Sequence, residues 1–214
     1  MINPAQEELE KIMTESPSVD RQIDQIGQSL QEAVQNFFRR RGESGQRLRD
    51  FLGGDWLGYP LHATLNDLPV GAWTTGIILD YLGAITGARA FRRAGDLLTG
   101  VGVVGAVAAS VAGLADYSEL PGTQRRYGTV HAILNGVSLV AYVDSLVQRA
   151  NGNRTSAISL ATLGFLGLVM STDIGRTMVY RYGTMVDRQA LMSGPREFTK
   201  ALPAGELRDG DRVV

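Results

Sequence analysis

Residues 58–73, GYPLHATLNDLPVGAW, set a histidine, an asparagine and an aspartate at the entrance to a segment that then runs almost wholly apolar. Such a juxtaposition asks whether the apolar run is a buried core helix or a helix that leaves water altogether. A mean hydropathy of -0.03 over 214 residues suggests an ordinary soluble chain, but that average hides a sharp division. Polar residues gather before residue 53 and after residue 175, and the middle is rich in Gly, Ala, Val and Leu.

Four apolar runs occupy that middle: residues 69–86, 97–115, 130–147 and 156–172. A bilayer core of about 30 Å needs roughly 17–25 helical residues, and each run reaches the short end of that range. The second and fourth runs carry no charge at all. A water-soluble bundle would show a polar stripe on each helix, so the pattern predicts an all-α, four-helix transmembrane bundle. Asp67 with Pro69 in the following turn is read as the cap of the first helix. The segments GTQRRYGT (122–129) and NGNRTS (151–156) are read as the breaks before the third and fourth.

Domain boundaries follow from composition. Residues 1–52 form an N-terminal amphipathic helical arm, 53–187 the four-helix transmembrane domain, and 188–214 a short irregular C-terminal tail. In the arm, Val19, Ile23, Ile26, Leu30, Ala33 and Phe37 recur at alternating spacings of three and four, a seam suited to docking on another helix.

Arginines flank the runs unevenly. With four crossings, Arg39, Arg40, Arg41, Arg47, Arg49, Arg125, Arg126, Arg176, Arg181 and Arg188 share one side with both termini. Arg89, Arg92, Arg93, Arg149 and Arg154 lie on the other. The positive-inside rule then predicts a multi-pass protein of the cytoplasmic membrane with both termini, and the amphipathic arm, in the cytoplasm. Lys11 and Lys200 are the only lysines and the net charge is -1, so no broad basic face suggests a nucleic-acid partner. There is no cysteine, which excludes a disulfide or a thiolate-held iron–sulfur cluster within this chain. The N-terminus MINPAQEELEKIM lacks the charged start and continuous apolar stretch of a cleaved signal.

Two motif matches mislead. Gly100-Val-Gly102-Val-Val-Gly105 fits the dinucleotide GxGxxG pattern, but no strand precedes it and no βαβ unit surrounds it. Gly105, Ala109 and Gly113 instead fall at four-residue spacing on one face, a candidate for close helix crossing. Asn153-Arg154-Thr155 matches the glycosylation sequon by composition alone.

Alternating helix directions gather the polar residues. His62, Asn66 and Asp67 precede the first helix, Asp116 ends the second, His131 and Asn135 begin the third, and Asp173 and Arg176 end the fourth. All eight are expected in one polar basin at a single membrane interface. Asp80 is an intramembrane acid, with Asp96 and Asp144 toward the opposite face, and such costly groups often mark function. The two imidazoles are candidate axial ligands for a haem b; a capping or hydrogen-bonding role is the plainer alternative.

The blocks GYPLHATLNDLPVGAWTTGIILDYLGA, GLADYSELPGTQRRYGTVHAILN and VYRYG, within residues 53–187, resemble an uncharacterised bacterial four-helix membrane-protein family. That family is a domain of unknown function often fused to a C-terminal Rieske iron–sulfur domain. Its members look like HPLHP at the first block, HxxxN in the third helix and GGHLVYRYG at the end of the fourth. Tyr59 and Thr177 stand where two of those histidines would be. The tail FTKALPAGELRDGDRVV resembles the lead-in to a Rieske domain, but no cysteine–histidine ligand pair follows.

The resemblance implies membrane redox chemistry. The leading expectation is a non-catalytic accessory subunit of an electron-transfer assembly. Its partners would be the lipid bilayer, other membrane redox subunits or a separate iron–sulfur protein, with the arm as a docking element. The alternatives are a haem b carrier using His62 and His131, and a proton or small-solute transporter using Asp80 and the interfacial carboxylates.

Overall fold

A computed structural model describes residues 17–186, with side chains from residue 21. The tail from 188, with Arg188 and the Rieske-like stretch, and the side chain of Val19 lie outside the described residues. Six helices follow in order: α1 (Pro17–Arg39), α2 (Gly42–Gly53), α3 (Leu61–Thr86), α4 (Arg89–Tyr117), α5 (Gly122–Ala150) and α6 (Arg154–Tyr180). No strand occurs among the described residues.

Helices α3 to α6 are each long and apolar enough to cross a membrane. Their outward side chains are apolar: Ile85, Leu97, Val104, Val140, Leu163 and Leu166 all point away from the bundle, Val104 being 70 % and Val140 69 % exposed. Buried within are Asp80, Thr99, Thr129, Ser138, Ser145 and Ser171. A water-soluble bundle would sort these residues the other way, whereas a lipid-facing one sorts them so.

All four helices extend beyond the apolar runs, and this corrects two expected boundaries. Helix α3 begins at Leu61 after Pro60, so Asp67 is not its cap but an exposed residue in its second turn, and Pro69 is inside the helix. The proline ring is buried against Gly105 of α4, where a Cβ would lie 3.0 Å from its Cδ. GTQRRYGT is likewise helical, forming the first turns of α5, and residues 118–121 alone make the turn from α4. Hydropathy marks the part of a helix that sits in hydrocarbon, whereas the hydrogen-bonded helix continues into the interface.

The chain builds two hairpins, α3–α4 and α5–α6, each tightly packed, with looser contact between them. They repeat one another. HATLN (62–66) opens α3 and HAILN (131–135) opens α5, both helices running away from the same end. When these segments are aligned, Trp73 matches Tyr142 and Asp80 matches Arg149. In α4 and α6, Gly102 matches Gly164, Ala109 matches Ser171 and Gly113 matches Gly175. The contacts repeat as well: a Cβ on Gly102 would land in the Trp73 indole, and one on Gly164 would lie 2.9 Å from the Tyr142 ring. The domain is therefore two parallel hairpins about an approximate two-fold axis running along the bundle.

Helices α3 and α5 face each other across that axis and meet only through large side chains. Trp73 stacks on Tyr142 with ring centres 3.8 Å apart and planes 9° from parallel. The indole N–H donates to the Thr99 carbonyl at 3.2 Å, which satisfies the buried donor.

Helices α1 and α2 cap the end where α3 and α5 begin, called the arm end below. The Gln31 amide donates to the carbonyls of Tyr117, Ser118 and Leu120, and Gln35 donates to Ser118 at 2.8 Å. These are carbonyls at and beyond the α4 terminus, which lack intrahelical partners. Arg125 of α5 donates to Asp24 at 2.8 Å and to Gln31 at 3.2 Å. The docked face overlaps the apolar seam only in part: Leu30 packs against the cluster of Tyr117, Leu120 and Tyr127, and Gly27 and Phe38 are buried, while Ile26 and Phe37 are 51 % and 44 % exposed. Polar capping of a helix end by Gln31 and Gln35, together with the Leu30 contact, sets the orientation of α1.

Candidate functional site

His62 and His131 come together at the arm end, one from each hairpin. Their ring centres are 6.2 Å apart and their planes stand at 89°. Both rings are fixed in the same way. Nδ1 of His62 lies 2.8 Å from the Ala109 carbonyl oxygen, and Nδ1 of His131 lies 2.9 Å from that of Ser171. A carbonyl oxygen only accepts, so each Nδ1 carries the proton and each Nε2 is left as the basic nitrogen.

The rings rest on glycine. A Cβ on Gly113 would approach Nδ1 of His62 to 2.9 Å, and one on Gly175 would approach Cε1 of His131 to 3.3 Å. Ser171 adds an asymmetry: its hydroxyl lies 2.9 Å from Nδ1 of His131 and also donates to the His131 carbonyl at 3.2 Å. The Asn135 amide then donates to Nε2 of His131 at 3.0 Å. Asn66 holds the matching place in α3 and is half-buried.

The remaining basin residues share this end but not one cluster. Asp116 is buried near the C-terminus of α4, beside the turn that carries the arm. Asp173 pairs with Arg176 at 3.2 Å within α6. Asp67 is exposed. Tyr59, at the place of a family histidine, is exposed at 56 %, and the Thr177 hydroxyl donates to the Asp173 carbonyl at 3.1 Å. No group of three or more His, Cys, Asp or Glu residues placed to hold a metal exists among the described residues.

At the far end of the seam the paired positions carry charge. Asp80 is fully buried, and its carboxylate accepts hydrogen bonds from Arg149 at both oxygens and from Arg154 at 2.7 Å. Asp96 joins through Arg149 at 2.6 Å and through Arg154. Arg154 also donates to the Arg92 carbonyl at 3.1 Å. Two carboxylates and two guanidinium groups thus form a neutral cluster linking α3 and α4 with α5 and α6. Asp144 lies apart, exposed, accepting from Gln148 at 3.4 Å.

Reading each helix separately identified both histidines but missed their kinship. The signal was present: HATLN and HAILN differ at one position, and the same offset leads onward to Trp73 with Tyr142 and Asp80 with Arg149. Arg149 and Arg154, flanking charges in the sequence, are the cations that hold Asp80.

A family model described as "Predicted membrane protein (DUF2231)" matches residues 58–188. No curated protein and no solved structure matches the chain.

Proposed function

The chain belongs to the DUF2231 family of predicted membrane proteins, and from that premise we propose that it is a membrane subunit of an electron-transfer assembly. The observation that carries this reading is the convergence of chemistry at one end. Two imidazoles, each with Nδ1 held by a backbone carbonyl, meet at the end of the bundle where the arm docks. At the same end of the bundle, a cavity of about 520 Å³ lies between α1, α2 and the turn after α4, lined by Gln31, Gln35, Arg49 and Glu119. Such an end suits docking of a cofactor or of a cofactor-bearing partner better than it suits catalysis by the chain itself, because the hydroxyl that meets an imidazole there, Ser171, is fully buried and donates to the His131 carbonyl at 3.2 Å.

Asp80 is engaged by two guanidinium groups, so the geometry favours a structural role for it over proton carriage. The arginine distribution supports a cytoplasmic arm end in the inner membrane.

The test is isolation of the full chain from its native membrane in mild detergent, followed by redox spectroscopy of what accompanies it. A companion with a reducible iron–sulfur or haem signal is the expected result, and isolation free of any redox-active companion contradicts the assignment. Because the chain has no cysteine, single thiols introduced at Ser29 and at Gly152 report sidedness directly. Only the first is expected to be shielded from an impermeant reagent in intact cells.

A further inference from the structure

The hairpin repeat gives the histidine pair a meaning beyond proximity. Two independent polar residues at one interface would differ in what holds them. Here the two rings repeat: the same helix position, the same Nδ1 contact to a carbonyl at a matching site, and the same glycine beneath. A metal-ligating histidine characteristically donates its other ring N–H to a carbonyl or carboxylate, which fixes the tautomer and raises the basicity of the ligating nitrogen. Both rings already have that support.

Their separation also suits one shared centre. Imidazoles on opposite sides of a single metal, each at about 2.0–2.1 Å, hold their ring centres roughly 6 Å apart. The observed value is 6.2 Å. With no third His, Cys, Asp or Glu beside them among the described residues, two side chains would hold a bare ion poorly. They suffice for an iron that arrives with four donors of its own and needs only its two axial positions filled. Helices α3 and α5 do not touch along the axis, so what lies between them is side chain and not backbone. Ligation by His131 would displace the Asn135 amide from its Nε2.

We propose that the two-fold axis of the bundle carries one haem at the arm end, bound axially by His62 and His131, one ligand from each hairpin. This deepens the electron-transfer reading and rests on it, but the two fail separately, because a redox companion can be found whether or not this chain binds haem.

The experiment is expression of the full chain with haem supplementation, then quantification of tetrapyrrole and metal per chain with optical and EPR spectra of the oxidised form. The expected result is one haem per chain with a low-spin spectrum. Axial imidazole planes near 89° give the strongly anisotropic low-spin EPR signal that distinguishes crossed from parallel rings. His62→Ala and His131→Ala should each abolish that signal. Because either variant could fail to fold, His131→Met is the companion: it should keep a haem but convert the spectrum to a histidine–methionine one. A colourless full-length protein, a bare metal ion without tetrapyrrole, or a low-spin signal unchanged in His131→Met would overturn the proposal.

Discussion

The two ends of the seam between the hairpins occupy repeated positions yet carry opposite chemistry. At the arm end the repeat keeps like with like, His62 against His131. At the far end it sets unlike against unlike, Asp80 against Arg149. Between them Trp73 and Tyr142 are a near match. The difference teaches where symmetry is useful. Two identical rings can share one guest, whereas two identical charges in a membrane interior would repel, and the far end carries an ion pair that also joins α3 and α4 to α5 and α6.

The largest expected effect comes from breaking the far end alone. Asp80→Asn leaves Arg149 buried with half its partners, and removal of one partner of a buried pair costs about 3–5 kcal/mol. Thermal unfolding in detergent should register this as a large fall in midpoint. Replacing both partners, Asp80→Leu with Arg149→Met, should lose less than Asp80→Asn does. If the double variant is the weaker, the cluster is not the coupled lock described here.

A smaller loss is expected midway along the seam. Gly102→Ala drives a methyl group into the Trp73 indole, and overpacking of this kind costs about 1–3 kcal/mol. Gly164→Ala tests the matching site against Tyr142, and the repeat requires a loss of the same sign. Similar melting of wild type and both variants would show that the glycines are not matched seats for the two rings.

The smallest effect sharpens the arm end. Asn135→Ala removes one hydrogen bond from His131, worth about 0.5–1.5 kcal/mol. Asn66→Ala removes no such contact to His62 and should change stability less. Equal losses at both positions would mean that the asymmetry between the imidazoles has been misread.

Much of this was legible in the sequence. The membrane class followed from uncharged runs such as 97–115, and the convergence of His62 and His131 at one end followed from alternating helix direction alone. The face of Gly105, Ala109 and Gly113 does pack on α3, against Pro69 and His62. What escaped has physical causes. Helix ends at Leu61 and Gly122 were misplaced because polar interfacial turns carry no hydropathy signal. The orientation of α1 was missed because Gln31 and Gln35 dock by hydrogen bonds to carbonyls, which no apolar periodicity records. The Asp80 cluster needs long-range pairing of residues from four helices, which spacing within one helix cannot show.

The central claim is that one residue from each hairpin meets at the arm end of a membrane bundle, and thiol cross-linking in native membranes tests it most directly. The chain supplies a cysteine-free background, so a His62→Cys/His131→Cys variant carries the only two thiols. A short bifunctional reagent is expected to link them within one chain, while a His62→Cys/Arg149→Cys control, with its thiols at opposite ends, stays unlinked. Linkage of the control with none between positions 62 and 131 would contradict the account.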